Sequence, residues 1–265
     1  MPVIACILEY DGSYFRGFQR QKDLLTVQST LEEAIKVSTG EIVKITAAGR
    51  TDTGVHAKGM VISFPLQNIP KNLKKFNLSL NALSHQGVSV LALREMPEEF
   101  NARFSCTERE YEFLILNSKF ESPLYEKKAY RVYKNIDLEL IDSQINGLIG
   151  KYDFKSFAKS TSVKGVSTER QITSIQFKPS LDTKGLYRLM IRGTGFLHNM
   201  IRIIVGTIFD VASGKIQMDL KSILEAGDRT IAGKTLPPHG LYFNKAYYRD
   251  YPEIEKMYYS NIPTI

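Results

Sequence analysis

The chain has 265 residues, 43% of them hydrophobic and 11% aromatic, which excludes a disordered chain and suits one large domain or two ordinary ones. Lysine and arginine total 35 against 28 acidic residues, a formal charge of +7 that suits a polyanionic partner without requiring one. The two cysteines, Cys6 and Cys106, lack metal-site spacing and read as buried free thiols, and the longest apolar stretch, 200–209, is broken by Arg202 and too short to span a bilayer.

The start, Met1-Pro2-Val3-Ile4, lacks the basic region and long apolar core of a secretory signal, so a soluble cytoplasmic protein is expected. Residues 3–8 read as a strand, and 27–37 as a helix with Val27, Leu31, Ala34 and Ile35 at helical spacing. Strands at 42–48 and 60–64, a helix at 72–83 and a strand at 88–93 follow. The order β-α-β-β-α-β is the split unit of ferredoxin-like folds. The second half reads similarly: a strand at 111–116, a helix at 138–149, strands at 172–177 and 187–191, a long helix at 196–211, a short one at 220–225 and a closing strand at 241–247. The expectation is an α+β protein of two ferredoxin-like halves with mainly antiparallel sheets and a cleft between them. Residues 1–100 form the first half, 106–250 the second and 251–265 a tail. Two segments interrupt the pattern, 121–128 with Lys127 and Lys128 and the basic stretch 151–171, and each reads equally as a solvated loop or as a phosphate contact.

The densest chemistry lies in Gly49-Arg50-Thr51-Asp52-Thr53-Gly54-Val55-His56-Ala57, a polar turn between two strand-like runs. Arg50 places a fixed positive charge near Asp52 and favours its ionised form, which serves as nucleophile or base. Thr-Asp-Thr-Gly is also ordinary turn chemistry. It matches the Asp-Thr-Gly of aspartic proteases too, but no second copy follows to share a proton, and a homodimer would have to supply one.

The run 196–211 is apolar nearly all round and reads as a buried helix with Arg202 in its middle. A buried guanidinium needs a carboxylate, and Asp52 is the expected partner across the two halves; the alternative is that Arg202 snorkels to the surface. Residues 106–116 alternate, putting Arg109, Tyr111 and Phe113 on one face and Glu108, Glu110 and Glu112 on the other. Tyr111 reads either as a core tyrosine or as an aromatic that stacks on a base. Arg188 and Arg192 share a face, as a phosphate stripe or a solvent face. The histidines at 56, 85, 198 and 239 show no metal spacing, and there is no glycine-rich phosphate loop.

The chain resembles the bacterial tRNA pseudouridine synthase A (TruA) family in an ordered set of motifs. These include Tyr10-Asp11-Gly12-Ser13-Tyr14-Phe15-Arg16-Gly17-Phe18-Gln19, the Asp52 turn, Phe100-Asn101-Ala102-Arg103-Phe104-Ser105 and Arg109-Glu110-Tyr111. Tyr152-Asp153-Phe154-Lys155-Ser156-Phe157, Gly195-Phe196-Leu197-His198-Asn199-Met200-Ile201-Arg202 and Pro237-Pro238-His239-Gly240-Leu241-Tyr242 complete it. The resemblance implies an isomerase that needs neither cofactor nor metal. It would convert uridine to pseudouridine in the tRNA anticodon stem-loop, typically at tRNA positions 38, 39 and 40, usually as a homodimer. It implies Asp52 as the catalytic carboxylate, Tyr111 as the active-site tyrosine and Arg202 as the basic partner of the aspartate. Arg50, Thr51, Arg103 and Phe196 are expected substrate contacts. The chain departs from the family at Asn101, Thr194 and Thr53, where His, Asn and Ala are commoner. A tRNA-binding or folding protein without catalysis is the alternative; it would have no need of these three catalytic residues.

Overall fold

The computed structural model describes residues 1–133 and 136–259. The protein is α+β and mostly antiparallel. Two compact units divide it: Met1–Arg109 with the chain from Tyr242 onward, and Glu110–Leu241.

The first unit is built from β1 (Val3–Tyr10), α1 (Val27–Thr39), β2 (Thr46–Ala47), β3 (His56–Pro65), α2 (Leu73–Leu83) and β4 (Val88–Met96). The sheet order is β4-β1-β3 with β2 on β3, the antiparallel 4-1-3-2 arrangement of a split β-α-β unit. Strand β1 is buried on both faces along almost its whole length, as expected of a continuous apolar run in a central position. Helix α1 opens with a reciprocal Thr26–Ser29 capping box and closes on Gly40 at φ 78°. Its buried face carries Leu31 and Ile35, each contributing about 1.5–3 kcal/mol by burial.

The strand expected at 42–48 shrinks to Thr46–Ala47, opposite Ser63 and Ile62. The reason is local competition for backbone donors. Glu41 accepts from the amides of Gln67 and Asn68 (2.8 and 3.2 Å), and the buried Glu32 accepts from the Ile45 amide at 3.0 Å. Ile42 is left fully in solvent, where it has no partner strand to pack against.

After the second unit the chain returns for β10 (Leu241–Tyr247), which runs parallel to β3 with Tyr242 opposite His56. Part of the expected tail is a helix, α6 (Pro252–Tyr259), docked through Ile254 and Met257. The Tyr258 hydroxyl donates to the Gly59 carbonyl at 2.8 Å and accepts from the Ala246 amide at 3.0 Å. Residues 260–265 of that tail lie outside the described residues.

The second unit contains β5 (Glu108–Asn117), β6 (Tyr130–Val132), α3 (Leu138–Ile145), β7 (Gly150–Asp153), β8 (Glu169–Pro179), β9 (Leu186–Gly193), α4 (Met200–Ala212) and α5 (Leu220–Ala226). Its sheet order is β5-β9-β8-β7, with β6 parallel to β5. The sequence β5-α3-β8-β9-α4 repeats the pattern of β1-α1-β2-β3-α2, and β5-β9-β8 repeats the spatial order 1-3-2. The short pieces β6, β7 and α6 fall below the length at which periodicity identifies an element.

Helix α4 starts at Met200, four residues later than its hydropathy suggests. Asn199 adopts the left-handed conformation (φ 63°), which a helix interior does not tolerate and which asparagine accepts better than most residues. Phe196 and Leu197 are therefore in the preceding loop, and Arg202 stands in the first turn of the helix rather than its middle. No helix among the described residues is long and apolar enough to cross a membrane.

Candidate active site

In the first unit, the turn between β2 and β3 presents Asp52. Its backbone is fastened on several sides. Phe18 donates to the Thr51 carbonyl at 3.0 Å, the Tyr10 hydroxyl pairs with the Thr51 hydroxyl at 2.7 Å, and the Val55 amide donates to the Asp52 carbonyl at 3.1 Å. Gly54 closes the turn at φ 82°. Gly12 lies so close beneath it that an added Cβ would stand 2.1 Å from the Val55 carbonyl oxygen. Thr51 is buried, Asp52 half-buried and Arg50 exposed, so the turn holds the carboxylate at the surface on a rigid base.

Arg109 is a residue whose part in this arrangement sequence reasoning misses. Its Nε donates to the Ala48 carbonyl at 2.8 Å, Nη1 to Cys106 at 3.2 Å and Nη2 to Arg103 at 2.9 Å. One planar guanidinium thus ties the start of the Asp52 turn to the 103–106 loop. Arg103 is exposed, with its guanidinium 5.4 Å from the centre of the Phe104 ring. His56 is fully buried and braces the far end of the turn. Its Nδ1 accepts from the Gly12 amide at 3.1 Å and lies 3.0 Å from the Asp11 carboxylate, while its ring stacks on Tyr242 at 4.6 Å.

In the second unit, Tyr111 on β5 is buried and meets half-buried Phe196 edge-to-face, with ring centres 5.2 Å apart and planes at 80°. The acids on the other face of β5 do not simply face water. Glu112 is buried and pairs with Arg188 at 3.7 Å, which also reaches Asp182 at 3.6 Å. Arg188 therefore belongs to an ion-pair network.

Arg202 is half-buried, not enclosed in a core. Its Nε donates to the Leu236 carbonyl at 2.6 Å and Nη1 to the Asn199 side-chain oxygen at 2.9 Å. Asn199, freed from capping by its left-handed backbone, orients the arginine instead. A cation in the first turn of a helix opposes the macrodipole, so the site concentrates positive potential and favours an anion.

His239 sits near this guanidinium. Burial first, and then the Arg202 charge, lower its pKa below the usual 6.5. The folded state therefore binds fewer protons there than the unfolded chain. The resulting stability is complete above pH 6.5 and is lost as pH falls through that value toward the lowered one. Replacing His239 by Gln should flatten the decline of urea-measured stability between about pH 6.5 and 5. Superimposable profiles for the two proteins would rule this out.

The chemistry is that of a basic α+β protein with a surface carboxylate on a braced turn, and with an arginine and a crossed aromatic pair in its other unit. The class this defines is supplied by the family model described as tRNA pseudouridine synthase, which matches residues 6–105 and 145–249. Within that class, a protein of Leptospira biflexa named tRNA pseudouridine synthase A is 46% identical over 266 residues, covering 99% of this chain and all of its own. Proteins of the same name from Caldicellulosiruptor bescii and Brachyspira hyodysenteriae are 40% and 39% identical, covering 91% and 94% of this chain and 98% and 100% of their own. The chain belongs to the tRNA pseudouridine synthase A family and is an isomerase.

Proposed function

We propose that the protein isomerises uridine to pseudouridine in the anticodon stem-loop of tRNA, at positions 38, 39 and 40, with Asp52 as the reacting carboxylate. What carries this reading is Asp52 on its braced turn, inside the matched segment 6–105. The target base must leave its stack before a side chain can reach it, and bases in and beside a loop cost least to extrude. Tyr111 stacks on the extruded uracil. Asp52 engages the ribose or the base, the N1–C1′ bond breaks, the uracil rotates, and a C5–C1′ bond forms. The C5 hydrogen leaves as a proton and N1 gains one, so the product is an isomer. Arg202 serves as the basic residue that acts with the carboxylate in the reaction. Thr51, Phe196, Arg50 and Arg103 are the further substrate contacts. The working form is a cytoplasmic homodimer.

Expelling the C5 hydrogen provides the assay. Tritium release from tRNA transcribed with [5-³H]uridine should be seen with the protein, and should fall to background when uridines 38–40 are replaced by cytidine. Release unaffected by those replacements would overturn the anticodon assignment. Binding of tRNA without any release would overturn the catalytic one.

A further inference from the structure

Arg170 is the second residue of β8, opposite Tyr152 on β7. Its Nη1 donates to the carbonyls of Ser167 and Glu169 at 2.9 and 2.6 Å, which fixes the plane of the guanidinium. Its aliphatic stem lies along Gly195, where an added Cβ would stand 3.7 Å from Cδ and 3.8 Å from Nε. Gly195 immediately precedes Phe196, the ring crossed with Tyr111. The residues just before Gly195 are fixed against β8, because the Thr194 amide donates to Gln171 at 3.1 Å and a Cβ on Gly193 would lie 2.4 Å from the Gln171 oxygen. Arg170 is thus held beside the residue that precedes Phe196.

Among the described residues, no acid balances the charge on this side chain. The neighbouring Glu169 carboxylate is taken by Lys151 at 2.7 Å. Among the described residues no carboxylate pairs with Arg170, and its Nε and Nη2 have no acceptor. Burial alone lowers its pKa, with no opposing charge to offset it. A half-buried, pre-oriented guanidinium with an uncommitted edge is costly in isolation and matches a phosphate bidentately. The segment across from it adds to the field. Phe154 and Phe157 anchor it in the core while Lys155 and Lys159 point to solvent, and the Lys159 amide donates to His198 at 3.2 Å.

We propose that Arg170 grips a backbone phosphate of the RNA strand that carries the reacting uridine, which makes it a positioning residue for the isomerisation. This rests on the tRNA reading above. The test measures tRNA affinity as a function of salt, together with KM and kcat for tritium release, in Arg170→Gln, Arg170→Lys and the charge control Lys36→Gln. Arg170→Gln should weaken tRNA binding roughly tenfold, reduce the slope of log Kd against log salt by about one, and raise KM with kcat within about twofold. Arg170→Lys should restore the slope, which reports charge, but only part of the affinity, because an ammonium cannot make the bidentate contact, and Lys36→Gln should match the wild type. A wild-type slope and KM in Arg170→Gln, with only a lowered melting temperature, would overturn the proposal and make the arginine a brace for the 167–169 turn. Failure of Arg170→Lys to recover any binding would overturn it also. The two readings fail separately. A wild type that releases no tritium defeats the isomerase reading, whereas the binding slopes judge Arg170 in either case.

Discussion

Asp52→Asn is expected to abolish tritium release from [5-³H]uridine-labelled tRNA, lowering turnover by roughly 10³-fold or more while leaving tRNA affinity within about threefold. The substitution is isosteric and removes only the ionisable oxygen. The turn that carries it is held by bonds to the backbone at Ala48, Thr51 and Asp52 and by the Tyr10–Thr51 hydroxyl pair. Asparagine is also at home in a tight turn. The variant should therefore keep the fold of the turn, with any loss of stability confined to the carboxylate's lost charge. A variant with intact binding and intact folding but no release isolates the chemical step. Turnover within tenfold of the wild type would remove Asp52 from the mechanism, whatever the fate of the rest of the assignment.

The second large effect concerns stability, and its sign is opposite to what helix propensity alone would give. Gly206 lies inside α4, where alanine would ordinarily stabilise by about 0.5–1 kcal/mol. Here an added Cβ would stand 1.9 Å from the Lys234 carbonyl oxygen. The segment 233–236 is strapped along α4 by the Gly233 amide to the Thr207 hydroxyl (2.9 Å), the Lys234 amide to Asp210 (3.3 Å) and the Leu236 amide to the Arg202 carbonyl (3.2 Å). The Arg202 guanidinium completes the strap through the Leu236 carbonyl. Gly206→Ala must push this segment off the helix, at a cost of about 1–3 kcal/mol or more, and the melting temperature should fall on the order of 5 °C. Turnover should fall as well, because Arg202 loses the acceptor that aims it. An unchanged or higher melting temperature would show that the segment yields freely and does not position the arginine.

The elements differ in how far they can be read in advance. Helix α1 is legible because Thr26, Ser29, Gly40 and the Val27–Leu31–Ile35 stripe all report the same element through local rules. The same rules overextend α4, since nothing in the apolar run 196–211 announces that Asn199 will turn left-handed. They overextend β2 for a related reason. The carboxylates of Glu32 and Glu41 compete for backbone donors from positions distant in sequence.

By itself the sequence determined the order of the longer strands and helices, the α+β class, the polar turn that bears Asp52 and, through its motifs, the family. Each of these is a local property, carried by period, capping and turn chemistry within a dozen residues. Only the tertiary structure decided how the candidate side chains are held. Arg109 reaches Ala48 across 61 residues, Arg202 reaches Leu236 across 34, and Arg170 stands against Gly195. Such contacts join one side chain to one distant carbonyl or glycine, so they leave no periodic trace along the chain. They exist only once the sheets have set the backbone geometry that brings those atoms together.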